Sequence, residues 1–196
     1  MTSNDQLFKS SMKYGLYYAI ISIVISLIIW ATKFIENSGL TANFIVSAIN
    51  IVVWVLILIY FTKDYRDKTL GGVIDFKQAF FVGMLTVAFA SLIIAVYNFS
   101  FHSWIDPEYS QRTIDAIIEK TYNMMSGMGL PESEIENSLK AIETMEVPTP
   151  VQSTFSGLQQ NIIYGAVLAL ISAAIVKKNK DKSGFAKAMD EINDEE

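Results

Sequence analysis

Lys63-Asp64-Tyr65-Arg66-Asp67-Lys68-Thr69-Leu70-Gly71-Gly72-Val73-Ile74-Asp75-Phe76-Lys77-Gln78-Ala79-Phe80 is a dense mixture of charge, aromatic side chains and paired glycines set between long apolar runs. Two apolar segments precede it and a third begins at its end. Loops that stay on the cytoplasmic side of a membrane carry an excess of Lys and Arg. Lys63, Arg66, Lys68 and Lys77 therefore assign this stretch a side, and every other segment takes its orientation from it.

On either side of the stretch the charges vanish for long distances. Residues 14–32, 44–61, 79–101 and 155–176 hold no Asp, Glu, Lys, Arg or His. Each run is close to the ~20 residues a helix needs to cross hydrocarbon. Each Leu, Ile, Val or Phe in them favours insertion by roughly 0.3 to 0.6 kcal/mol. The composition agrees, with 52% hydrophobic and only 18% charged residues. The expected fold class is an all-α membrane protein of four transmembrane helices, forming one polytopic domain over residues 1–196. Basic residues before the first run raise the question of a cleavable signal. No small-x-small site follows Trp30, so a retained span is expected.

Between the third and fourth runs, residues 102–152 change character. Asp106-Pro107-Glu108 reads as a helix start with Asp as its cap. Ile114, Ile117, Ile118, Tyr122 and Met125 follow at helical spacing. Gly127-Met128-Gly129 breaks that helix. Pro131-Glu132 begins a second one, with Ile135, Leu139 and Ile142 on one face, and Val147-Pro148-Thr149-Pro150 ends it. The expectation is an amphipathic helical hairpin outside the bilayer. It carries nine acids against Arg112, Lys120 and Lys140. A solvated acidic face is the plain reading, and weak divalent-cation binding the sharper one.

The remaining cations set the topology. Lys9 and Lys13, the quoted stretch, and Lys177, Lys178, Lys180, Lys182 and Lys187 fall on one side of the four spans. Only Lys33, Arg112, Lys120 and Lys140 fall on the other. Both termini, including a tail over 177–196, are thus expected in the cytoplasm and the hairpin outside.

Composition also bounds the chemistry. A net charge of -5 gives no general attraction to nucleic acid. Cysteine is absent and His102 is the single histidine, so no metal or cofactor is expected and no enzymatic activity is assigned. His102 and Trp104 read as interfacial anchors, with proton sensing at His102 as the alternative.

Inside the spans Asn50, Asn98, Gln160 and Asn161 are candidate intramembrane polar contacts, read as interhelical hydrogen bonds or as a polar substrate seam. Small residues recur on helix faces: Gly15, Ala19, Ser22 and Ser26; Ala79, Gly83, Thr86 and Ala90; Gly165, Ala169 and Ser172. Such faces let backbones approach closely, within one bundle or between two copies.

The quoted stretch is the candidate structural or interaction loop, through Tyr65, Arg66, Asp67, Lys68, Gly71, Gly72, Asp75, Phe76, Gln78 and Phe80. As a clamp between the second and third spans, its glycines permit a tight return and Asp75 with Gln78 forms a capping box. Arg66 then has Asp64, Asp67 or Asp75 as a local partner. As a docking site, Tyr65, Arg66 and Lys68 take an anionic lipid or a cytoplasmic protein.

The order of these features resembles a known family. A basic start with Tyr14-Gly15-Leu16 leads through two spans to Tyr65-Arg66-Asp67-Lys68 and Gly71-Gly72. Phe76, Ala79, Phe80 and Gly83 enter the third span, Ile105-Asp106-Pro107 lies beyond it, and a last span with a lysine stop follows the acidic hairpin. This is similar to the bacterial four-span DUF4199 group of unknown function. The resemblance implies a bacterial inner-membrane location and brings no activity or site residue. The expected role is a non-enzymatic structural or partner-binding protein in the lipid bilayer, with a protein partner or self-association. The alternative is a small transporter, or a transporter accessory subunit, using the polar seam.

Overall fold

A computed structural model describes residues 3–144 and 146–178. Lys180, Lys182, Lys187 and the acidic residues 190–196 lie outside the described residues. Every regular element among the described residues is helical. In chain order they are α1 (Ser3–Ala31), α2 (Phe34–Asn37), α3 (Leu40–Thr69), α4 (Phe76–Ser100), a π-helical turn (Phe101–Ile105), α5 (Tyr109–Gly127), α6 (Glu132–Glu143) and α7 (Pro150–Val176). Four of them are long and apolar enough to cross a membrane: α1, α3, α4 with its π turn, and α7. Their most apolar stretches reach mean hydropathies of 2.0, 2.7, 2.5 and 1.6.

These helices outrun the charge-free segments. The 30 residues of α3 correspond to about 45 Å of helix, against about 30 Å of hydrocarbon. Its last turns hold Tyr65, Arg66, Asp67 and Lys68, which corrects the expectation that these residues belong to a loop. No Gly or Pro interrupts the chain between Phe61 and Leu70, and Lys68 pairs with Asp64 one turn earlier at 2.6 Å. The helix ends where backbone conformation first demands glycine, at Gly71 (φ 67) and Gly72 (φ 91).

Two compact units divide the chain. The first comprises Met1–Ala19, Ile51–Leu92 and Gln160–Glu196. Its core gathers Tyr14, Phe61, Tyr65, Ile74, Ala79, Val82, Ala173 and Val176. The small-residue faces meet one another here. Gly15 of α1 lies on the backbone of α4 at Thr86 and Ala90, Gly83 of α4 lies on Ala169 of α7, and Gly165 of α7 lies on Val87. Where helices touch at glycine, dispersion between closely spaced backbones replaces the side-chain interdigitation of a water-soluble core. Tyr14 stacks on Phe61 with ring centroids 4.9 Å apart, and Tyr18 lies tilted against Trp54 at 4.2 Å.

The second unit comprises Ile20–Asn50 and Ile93–Gln159. Its aromatic centre is Phe101, ringed by Trp30, Tyr97 and Tyr109 at 5.4 to 5.7 Å. Here α5 packs on α6 and on α2, with Ala116, Ile135 and Leu139 buried.

Candidate functional site

In the first unit the quoted stretch is a fastener with three parts. Asp75 and Gln78 form the capping box of α4. The Gln78 amide donates to Asp75 Oδ1 at 2.7 Å, and the Asp75 amide to Gln78 Oε1 at 3.3 Å. The Arg66 carbonyl accepts from the Leu70 and Gly72 amides at 3.2 and 3.0 Å, which closes the return.

The third part is a tie to the last helix. Arg66 Nη1 donates to the Val176 carbonyl at 3.2 Å, and Ile74 and Lys178 exchange two backbone bonds at 3.2 and 2.8 Å. The last four carbonyls of any helix lack intrahelical donors, and a cation there also suits the helix dipole. Arg66 therefore caps α7. Of its candidate acids it takes Asp67, through Nε at 2.7 Å. The stretch holds the end of the fourth span as well as joining the second to the third. Around it Tyr65 is buried, Leu70 and Phe80 pack against the core, and Phe76 is exposed. Asp64 accepts from the Tyr14 hydroxyl at 2.7 Å as well as from Lys68.

A substitution separates this tie from mere surface charge. Arg66→Glu places a carboxylate beside α7's unpaired carbonyls, and it should lower stability by about 1.5 to 3 kcal/mol. Lys63→Glu, at an exposed position on the same turns, should leave it within about 0.5 kcal/mol. Equal unfolding midpoints for the two variants in neutral detergent would remove the cap.

The second unit carries a polar cluster that no sequence signal marks. At the end of α4 the chain widens into a π turn, closed by the Asp106 amide donating to the Phe101 carbonyl at 2.9 Å. The Asp106 side chain does not cap α5. It accepts from Trp30 Nε1 at 2.8 Å and pairs through both oxygens with the Arg112 guanidinium. Arg112 Nε also reaches Glu36 of α2 at 3.1 Å, and Lys120 Nζ donates to the Ile35 carbonyl. The Arg112 guanidinium holds the Asp106 carboxyl below the usual carboxylate range, and Trp30 adds to the effect. Burial pushes the Tyr109 hydroxyl up.

These bonds pin α5 to α2 and to the π turn. The acids Asp115, Glu119, Glu132, Glu134 and Glu136 remain exposed on the hairpin. His102 is turned to Ser110, 3.3 Å from its hydroxyl, while Trp104 is exposed. Among the described residues, no group of three His, Asp or Glu side chains is placed to hold a metal ion.

The polar side chains inside the spans fall in both units. Asn50 and Asn98 belong to the second unit, Gln160 and Asn161 to the first. None of the four makes a side-chain hydrogen bond among the described residues; the Asn98 amide lies over Gly157. Hydroxyls supply the interhelical bonds instead, Ser172 to Thr62 and Ser26 with Tyr97, both at 3.3 Å. Sequence reasoning also passes over the start of α7. Thr149 and Gln152 form a second capping box, with the Thr149 amide donating to Gln152 Oε1 at 2.8 Å. Its T-x-x-Q signature is readable, and Pro150 occupies the favoured first helical position.

Against known proteins, a family model described as a protein of unknown function (DUF4199) matches residues 13–178. No curated protein and no solved structure matches the chain.

Proposed function

The chain belongs to the DUF4199 family, and because that family carries no assigned activity, we propose its role from geometry: a non-enzymatic multi-pass protein of the bacterial inner membrane that presents its outer hairpin to a protein partner. The observation that carries this is the docking of α5. Arg112 and Lys120, two of the hairpin's three cations, are spent on Asp106, Glu36 and the Ile35 carbonyl. The exposed acids are left facing outward on a braced pair of helices. A braced surface loses less conformational freedom on binding than a loose one, which favours recognition. By contrast, Tyr65 and Arg66 of the basic stretch are engaged inside the chain, which directs partner binding to the hairpin. The excess of cations around the α3–α4 connection and near both termini supports placing these in the cytoplasm and residues 102–152 outside.

One pair of variants tests both parts, because the chain has no cysteine of its own. In intact cells, Ser133→Cys should react with an impermeant thiol reagent and Thr69→Cys should not. A photo-crosslinker attached at the Ser133→Cys thiol should capture a discrete protein band. Labelling of Thr69→Cys from outside would reverse the orientation. Crosslinks to lipid alone would remove the partner.

A further inference from the structure

The basic end of the first unit holds a cleft that the fastener does not use. Gln6, Lys9 and Ser10 of α1 and Lys68 and Thr69 of α3 line about 300 Å3. Lys9 is exposed and makes no hydrogen bond or ion pair among the described residues. Lys68 is tethered to Asp64, yet its side chain is 74% exposed, so the ammonium keeps open donor positions toward the cleft. Asp64 already accepts from the Tyr14 hydroxyl and is the acid nearest to Lys68. Asp5 lies one turn before Lys9 and is exposed. Lys13 sits over the Tyr17 ring at 5.8 Å, adding positive charge one turn further along α1.

Depth identifies the ligand. Lys9 lies five residues before the first charge-free segment, and Lys68 seven residues after the second. At 1.5 Å per residue these offsets are about 7 and 10 Å. A bilayer's headgroup layer extends roughly 5 to 8 Å beyond the hydrocarbon on each side. Lys9 thus lies at the level of the lipid phosphates, and Lys68, just beyond it, reaches back because a helical side chain leans toward the start of its helix. Leu16 and Tyr17, each nearly half exposed and seven residues past Lys9 and Ser10 on the same side of α1, continue from the cleft as apolar surface. Donors at phosphate depth beside apolar side chains fit an amphiphile better than a free ion. Of the residues expected to dock a lipid, Tyr65 and Arg66 are occupied elsewhere, and Lys68 with Lys9 takes their place.

We propose that this cleft seats the phosphate headgroup of an anionic phospholipid between Lys9 and Lys68. The proposal rests on the helices crossing a membrane and is independent of the hairpin's partner. Full-length protein is first reconstituted in phosphatidylcholine vesicles and floated on a density gradient. It is then placed in mixed phosphatidylglycerol–phosphatidylcholine nanodiscs, and retained lipids are read by native mass spectrometry. The expected result is phosphatidylglycerol retained about tenfold over its bulk share, reduced about fivefold by Lys9→Gln and to bulk level by Lys9→Gln with Lys68→Gln. Lys140→Gln on the hairpin should change nothing. Since Lys9 is exposed and makes no hydrogen bond or ion pair among the described residues, Lys9→Gln should unfold at the same temperature as the parent in phosphatidylcholine, so a lost preference is not a lost fold. Equal retention of the two lipids, or a preference untouched by Lys9→Gln, overturns the site. Inorganic phosphate at millimolar concentration raising the unfolding temperature as far as phosphatidylglycerol does would overturn the lipid assignment. Failure to float would instead overturn the membrane reading itself.

Discussion

Alanine at Gly15 will lower the protein's stability by about 2 kcal/mol or more, the largest effect expected of any single added methyl group. A Cβ at that position would meet Phe89 Cβ at 2.7 Å, the Thr86 carbonyl oxygen at 2.9 Å and the Ala90 nitrogen at 3.2 Å. Two of these three atoms are backbone, so relief requires α4 to move, and a packed interior resists that. Gly165→Ala should follow. Its Cβ would lie 2.2 Å from Val87 Cγ1, and a β-branched side chain on a helix has almost no alternative rotamer. Gly83→Ala meets Ala169 Cβ at 2.9 Å and its Cα at 3.3 Å, and should be the mildest of the three. Gly127→Ala, with nothing within 4 Å, should be neutral or stabilising by up to about 1 kcal/mol. Unfolding midpoints in a neutral detergent give the order. If Gly15→Ala unfolded with Gly127→Ala, the close approach of α1 and α4 would be refuted.

The second large effect belongs to Asp106. Asparagine there keeps an acceptor for Trp30 but removes the charge that Arg112 pairs with. Hydrogen bonds to charged groups are worth about 1.5 to 3 kcal/mol. The Arg112 side chain is 37% exposed, so the lower part of that range applies. Hydrogen exchange of α5 amides should then quicken about tenfold, since 1.4 kcal/mol is a factor of ten. The pH dependence has a definite sign. A carboxyl held below its unfolded value contributes fully above about pH 4. That contribution fades as pH falls through the lower folded value. The parent α5 should therefore loosen only below about pH 4, whereas Asp106→Asn should be loose across the neutral range. Identical exchange in the two proteins at pH 7 would show that the Arg112 pair does not hold the hairpin.

Much of the fold was legible because its signals are local. Four charge-free windows announce four long helices, and Asp75 three residues before Gln78 announces a cap. The small faces on α1, α4 and α7 are visible as spacings, though their partners are not. Spacing within a helix says nothing of which neighbour lies across from it. The contacts at the candidate sites are harder to read. Arg66 and Val176 are 110 residues apart, and no periodicity links an arginine to a distant carbonyl. Asp106 before a proline has the look of a cap. The π turn redirects it, and nothing in Phe101–Ile105 marks that turn in advance. Asn50, Asn98, Gln160 and Asn161 show the limit of the reverse kind, since their polarity is obvious in the sequence while a partner is not, and none of them makes a side-chain hydrogen bond among the described residues. Helix ends are hard to read where charge resembles loop, because Lys, Asp and Arg are acceptable in a helix wherever it clears the hydrocarbon, as Asp64 to Lys68 do at the end of α3.

The pairing of Ile74 with Lys178 has a consequence for synthesis. The first unit draws its buried residues from three separate stretches, and the last of them supplies Ala169, Ala173 and Val176. Until Ala169 is made Gly83 has nothing to face, and until Lys178 is made Ile74 has no strand-like partner. The earlier helices of this unit must wait with the faces that meet α7 uncovered. Among the described residues these closing contacts are the last to be translated, so a chain released before residue 178 would have its early helices and no such latch.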